Sequence, residues 1–373
     1  MFLKNKLSAF LIYIFTGLLF IFHPIFLTGQ PFDEDVIIYH DILKKSVTYL
    51  HLMQKKDKDP HSGEWESTLY NRRYNFMIGS KDQKACDYNC FINCQTHNSL
   101  SRTYPFADEK EKITEMLEKS LQAIMRYRNG NGFNFWPLQE RAEHLKKRYA
   151  GDGLYQQKKK NYIHKSMFIN NYANIYNDAD DTSLALMAVF LNSLITGNKN
   201  HVEEIVTDSM ISVFGEFRDT NRNNIHWYNW ANGYRKRTGA FLTWFGKERK
   251  FTPWVIFTPA DCCPNMPYGA NNVDCVVNAN VLSALAVYKK NNDVPGTEAS
   301  CAFIKDAYSK NNKRRSCGIY YPAKYSFHLA ISQAINNGVI CLQELSVKIA
   351  EDISSKQNPD GSWEPNLKGN ELQ

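Results

Sequence analysis

Chemistry is most densely encoded at Asn177–Leu191, which reads N-D-A-D-D-T-S-L-A-L-M-A-V-F-L. Asp178, Asp180 and Asp181 fall within four positions, and Thr182 and Ser183 lead from them into an apolar run with the look of a buried helix. One carboxylate there is ordinary, because Asp, Ser and Thr cap helix N-termini and an acidic first turn suits the helix dipole. Three are more than a cap needs. Adjacent carboxylates in a poorly hydrated place cannot all ionise cheaply, so at least one should hold a proton near neutrality, as a general acid must. The plainer alternative is that they cap an inner helix and pair with Lys or Arg.

Other residues could surround a substrate. V-D-C-V-V-N-A-N, with Asp274, Asn278 and Asn280, echoes the acidic stretch, and K-Y-S-F-H, with His328, echoes it more faintly. Trp136 and Trp227 offer flat rings suited to stacking on a sugar or facing a cation, although a Trp in a turn more often packs over that turn. Cys86, Cys90 and Cys94 lie four apart with His97 three further on, a stripe that on a helix could bind metal. The spacing is not a standard zinc pattern, so disulfides to Cys262, Cys263, Cys301, Cys317 or Cys341 are the better expectation. Asp219, Asn221 and Asn223 imitate the start of a calcium loop without its glycine or its terminal Glu. No metal or other cofactor is expected.

The elements that must position these residues form a repeat: a helix, a Gly- and Asn-rich turn carrying Trp or Tyr, then a helix with a polar start. Asp35–Lys56 runs into D-P-H-S-G-E-W (Asp59–Trp65), and Leu342–Gln357 runs into Q-N-P-D-G-S-W (Gln357–Trp363). Glycine allows the left-handed turn that ends a helix, and the ring can fold back over it. Looser copies follow Ile113–Met125 (Arg128–Pro137), Glu204–Phe217 (Asp219–Trp227) and Cys301–Asn311 (Cys317–Pro322). Segments apolar nearly all round, such as 184–191 and 273–288, belong inside, and charged ones such as 43–56 belong outside. Inner and outer helices in alternation predict an all-α fold, an α/α toroid occupying residues 31–373, with the inner N-termini gathered at one end. The stretches 86–104, 136–177 and 247–272 are expected as long loop insertions, and strand signal is confined to short runs such as Pro253–Phe257.

Composition sets the compartment and limits the partners. Aromatic residues make up 13% of the chain, and the net charge of +7 is spread in short clusters without a nucleic-acid motif, so a nucleic-acid partner is not expected. Lys4 and Lys6 precede an uncharged apolar run over residues 7–28. Residues 1–30 therefore predict a signal peptide or an N-terminal membrane anchor, placing the remainder outside the cytoplasm. Nine cysteines fit an oxidising compartment.

Two motifs carry a family resemblance. Asp178-Ala179-Asp180-Asp181-Thr182 resembles the D-x-D-D-T motif of class II terpenoid cyclases, the squalene-hopene cyclase type, and Gln357-x-x-x-Gly361-x-Trp363 resembles the Q-x-x-x-G-x-W repeat of that superfamily. The resemblance implies an α/α toroid in which Asp180 protonates an alkene or epoxide of an isoprenoid, a prenyl diphosphate among the options. It also implies that Asp178 and Asp181 tune that acid. The gathering of inner N-termini in a toroid would bring Asp274, Asn278, Asn280 and His328 to them, and Trp136 and Trp227 are the candidate substrate-facing rings. No D-D-x-x-D motif is present, so magnesium-driven ionisation of a diphosphate is not implied. Two alternatives stand beside it. One is an extracytoplasmic α/α-barrel enzyme of glycoside hydrolase or polysaccharide lyase type acting on a glycan, and the other a non-enzymatic toroid binding lipid, glycan or protein.

Overall fold

The computed structural model describes residues 33–71, 83–140, 154–156, 175–198, 200–220, 225–231, 233–234, 236–246, 266, 270–310, 318–321, 325–359 and 363. Helices dominate them. In chain order these are α1 (Asp33–Met53), α2 (Cys90–Thr103), α3 (Lys110–Met125), α4 (Ala179–Thr196), α5 (Asn200–Ile205), α6 (Asp208–Glu216), α7 (Trp227–Ala231), α8 (Cys275–Val287), α9 (Thr297–Ser309), α10 (Ser326–Asn336) and α11 (Ser346–Ser354). Three antiparallel strand pairs decorate them: β1 (Ser67–Asn71) with β2 (Gln83–Asp87), β3 (Arg128–Asn129) with β4 (Gly132–Phe133), and β5 (Leu138–Glu140) with β6 (Leu154–Gln156).

The helices sort into two layers. An inner row runs α2, α4, α8, α10, each packed on the next, while α3 lies over α2 and α4, α9 over α8, α11 over α10, and α1 outside α3. Burial follows the composition. Eleven of the thirteen residues of α8 and thirteen of the eighteen of α4 are buried, whereas α11 buries Ile349 alone. A helix apolar on every side has no face for water and must be enclosed, and α4 and α8 meet that requirement by packing on each other.

The segment 86–104 corrects the expectation of a loop insertion, because Cys90–Thr103 is an inner helix. Its sequence disguises it. Asn93, Thr96, His97, Asn98 and Ser101 are buried, and several bond inside the protein: His97 Nδ1 with Ser120 Oγ at 2.7 Å, Asn93 Nδ2 to Asn89 O at 2.9 Å, and Asn98 Nδ2 to Leu184 O at 3.1 Å. Cys86, Cys90 and Cys94 are also corrected, being free thiols rather than disulfide partners. Cys90 and Cys94 face the interior from consecutive turns of α2, their sulfurs 3.7 Å apart. Cys301 of α9 is bridged to Cys341 in the 3-10 turn Ile340–Leu345, and Cys275 is disulfide-bonded too.

The first glycine-tryptophan turn folds as the repeat requires. Gly63 has φ +82°, and a Cβ there would meet Lys119 O at 2.3 Å, which restricts the position to glycine. Trp65 then turns back, its Nε1 donating to Leu50 O of α1 at 2.9 Å. At the far end Trp363 does the same to Ile353 O of α11, also at 2.9 Å. The Arg128 copy differs, forming the β3–β4 hairpin around Gly130, with Phe133 as the buried ring. Thr207 interrupts the expected helix 204–217 by capping Met210 N and starting α6. Asp219 accepts from Thr238 N and Oγ1 at 2.8 and 2.9 Å, whereas Asn221 and Asn223 lie outside the described residues.

Residues 1–32, the strand expected at 253–257, and most of the segments 136–177 and 247–272 also lie outside the described residues. Among the described residues no helix is long and apolar enough to cross a membrane.

Candidate functional site

The acidic stretch begins α4 as a cap and a seam together. Asp178, in extended backbone at φ −131°, accepts Asp181 N on its side chain at 2.7 Å. It is bridged on one side to Phe133 and on the other to Trp244, so the start of α4 lies between the β3–β4 hairpin and the 241–245 segment. Ala179 N donates to Thr243 O at 2.7 Å, and Phe133 N donates to Thr182 Oγ1 at 2.9 Å. Every residue of D-A-D-D-T is buried, which fixes the backbone and leaves the carboxyls little water.

The three carboxyls then separate by role. Asp181, only 2% exposed, faces the Asp178 carboxyl and lies close to Cys94; burial first, and then the neighbouring Asp178, push its pKa well above the usual range. Burial raises Asp178 to about 7. Two carboxyls in contact in a dry place share a proton instead of both ionising. Asp180 points elsewhere. Its Oδ1 accepts Asn280 Nδ2 of α8 at 2.8 Å, and its Oδ2 accepts the Tyr321 hydroxyl. Burial raises Asp180 to about 6 against the lowering pull of those two donors.

Asp274 repeats the cap on α8. Its Oδ1 accepts Val276 N and Val277 N at 2.8 and 3.1 Å, while its Oδ2 accepts Ile319 N and Tyr320 N. Burial raises it to about 7, with those amides pulling the other way and the Asp180 charge adding to the rise. Four backbone donors make Asp274 a bolt between the start of α8 and the segment that carries Tyr320 and Tyr321. Asn278 is similarly committed, clasping Phe241 N and O at 3.0 Å each and Asp274 O at 2.8 Å.

His328 and Trp136 bond to groups outside this cluster. His328 Nε2 pairs with Asp352 Oδ2 of α11 at 2.8 Å, toward the outer layer. Trp136 Nε1 is held by both Asp87 oxygens of β2 at 3.2 and 3.3 Å. Trp227 opens α7, and its side chain is outside the described groups. Tyr321, expected only as a residue of the 317–322 turn, is a partner of Asp180; its ring stands edge-on to Phe91 at 5.6 Å, and the neighbouring Tyr320 stands edge-on to Trp244 at 5.9 Å.

A small cleft of about 10 Å³, lined in part by Asn280, lies among the inner helices. All four inner helices contribute polar side chains: Asn98 and Arg102 of α2, Ser183 of α4, Asn280 and Ser283 of α8, and Gln333 of α10. Asn280 thus has its amide on Asp180 and its body in the cleft wall. Among the described residues no three His, Cys, Asp or Glu side chains converge so as to hold a metal ion. No protein-family model matches this chain, and no curated protein matches its sequence.

Proposed function

We propose that this chain is an α/α toroid whose inner helices surround a substrate channel and whose Asp180 is a Brønsted acid, as in a class II-like terpenoid cyclase. The observation that carries the reading is the environment of Asp180: a buried carboxyl held by one donor on each oxygen and raised to about 6. Each oxygen keeps a further lone pair, and a proton there is the one available for transfer. After transfer, Tyr321 O–H and Asn280 N–H hold the carboxylate that remains. Asp178 and Asp181, kept at least partly protonated by burial, add less repulsion to that new charge than two ionised neighbours would. The product cation would meet the faces and edges of Phe91, Tyr320, Tyr321 and Trp244. The Cys301–Cys341 bridge supports an extracytoplasmic location.

The direct test is to incubate the purified protein with farnesyl diphosphate, geranylgeranyl diphosphate and squalene beside Asp180→Asn, and to analyse extracts by mass spectrometry. A cyclised product that disappears in the variant supports the proposal. A folded wild-type protein that yields none of these products overturns the cyclase reading for these substrates.

A second reading draws on the polar walls of the cleft. Amide and hydroxyl side chains from four helices suit a hydroxylated ligand better than a hydrocarbon, and the same acid could protonate a glycosidic oxygen. Release of reducing ends from a panel of neutral and acidic glycans, abolished by Asp180→Asn, would favour it. Absence of release across the panel would remove it.

A further inference from the structure

The outer helix α1 has two apolar sides, and the described residues cover one of them. On the inner side Val47 is buried, and Leu43 and Leu50 pack against a cluster that includes Ile113 and Met116 of α3. The other side is open. Among the described residues ten large apolar side chains are exposed, and five of them, Tyr39, Ile42, Tyr49, Leu52 and Met53, lie on α1. On a helical projection they share one arc of about 140°, and from Tyr39 to Met53 the stripe is about 21 Å long. Single exposed apolar residues need no explanation, but a stripe of this length marks a contact.

The sequence says which contact. The uncharged apolar run over residues 7–28 ends at Thr28, and α1 starts at Asp33. As a helix the run is long enough to cross the hydrocarbon core of a bilayer, at about 33 Å. From Thr28 to Asp33 the chain extends about 18 Å at most, so a bilayer holding that run keeps the start of α1 at or close to its headgroups. The stripe also has an interfacial composition, two Tyr among aliphatic side chains. Lys45, which lies within the arc, is paired with Asp41 at 2.5 Å, so the face is nearly neutral and its affinity comes from apolar area. A second copy of the chain could cover the same stripe, but its place directly after the apolar run favours lipid.

We propose that residues 7–28 remain on the chain as a bilayer anchor and that the Tyr39–Met53 face of α1 lies in the interface of a zwitterionic membrane. The outer layer is then seated on lipid, with α3 between α1 and the inner row. The proposal concerns attachment alone and is independent of the role of Asp180.

The test uses the whole chain reconstituted in phosphatidylcholine vesicles, with Tyr49→Trp on the stripe and Lys44→Trp on an exposed position of the far side. Measured against the wild type, the indole added by Tyr49→Trp should emit at shorter wavelength and be quenched by phosphatidylcholine brominated on its acyl chains. The indole added by Lys44→Trp should show neither effect. High salt should leave the quenching intact. In the Tyr49→Trp background, joint Ile42→Ser, Leu52→Ser and Met53→Ser should abolish it in a protein that stays folded in detergent, because all three side chains are exposed. The proposal is overturned if intact mass shows residues 7–28 removed on export, if the two indoles are quenched alike, or if neither is quenched. Unquenched Tyr49→Trp in a detergent dimer that Tyr49→Glu dissociates would also overturn it, and would assign the face to a second copy of the chain.

Discussion

Asn280 Nδ2 meets Asp180 Oδ1 at 2.8 Å, joining two inner helices at positions one hundred residues apart in the chain. The contact holds the carboxyl still and favours its charged form, so it sets how readily Asp180 gives up a proton.

The activity of an enzyme using protonated Asp180 should rise as pH falls and level off below about 6. Tyr321→Phe and Asn280→Leu each remove a donor that stabilises the carboxylate, which raises the Asp180 pKa by about one unit. The inflection of the pH–rate profile should therefore move to higher pH in both variants. A move to lower pH would exclude Asp180 as the titrating acid.

Asp178, Asp181 and Asp274 hold protons in the folded state that the unfolded chain has already released. Their folded pKa values are raised, so this contribution is complete below about pH 4, the unfolded carboxylate value, and is lost as pH rises toward 7. Each such proton gives a slope of about 1.4 kcal/mol per pH unit over that window. Asp181→Asn should flatten the fall and leave the variant the more stable protein near pH 8. Urea unfolding in steps from about pH 5 to 8 measures both slopes, and parallel curves would refute the assignment.

Trp65→Phe keeps the ring and deletes the donor to Leu50 O, which should cost about 1–2 kcal/mol. Trp65→Ala also empties a buried site and should cost about 3–5 kcal/mol. Equal losses in denaturant titration would mean that the hydrogen bond contributes nothing.

Cys301→Ser opens a crosslink between residues 40 apart and should lower stability by about 2–4 kcal/mol. Reducing agent should destabilise the wild type. Because Cys275 is also bridged, a variant lacking only the Cys301 link should keep part of that sensitivity.

Local rules made much of this legible. The caps at Asp178 and Asp274 and the Trp65 and Trp363 turns follow from residue type and short spacing. Pattern failed where the interior is polar. α2 reads as a loop because its buried face is Asn, Thr, His and Ser, whose partners on α3 and α4 are fixed only in three dimensions. The contact of Tyr321 with Asp180 is hidden for the same reason, because Tyr321 lies in an aperiodic segment. An apolar helix does not reveal which of its sides faces inward, and His328 pairs with Asp352 of α11.

The tryptophan clasps also bear on the order of assembly. Trp65 reaches back fifteen residues and Trp363 ten, so each closes within its own stretch of chain. Asp180 waits for partners one hundred and 141 residues away. Short loops close early and long ones late. Helices at both ends of the chain can thus be dressed before Asp180 acquires its donors, so the surroundings of that carboxyl form late in folding.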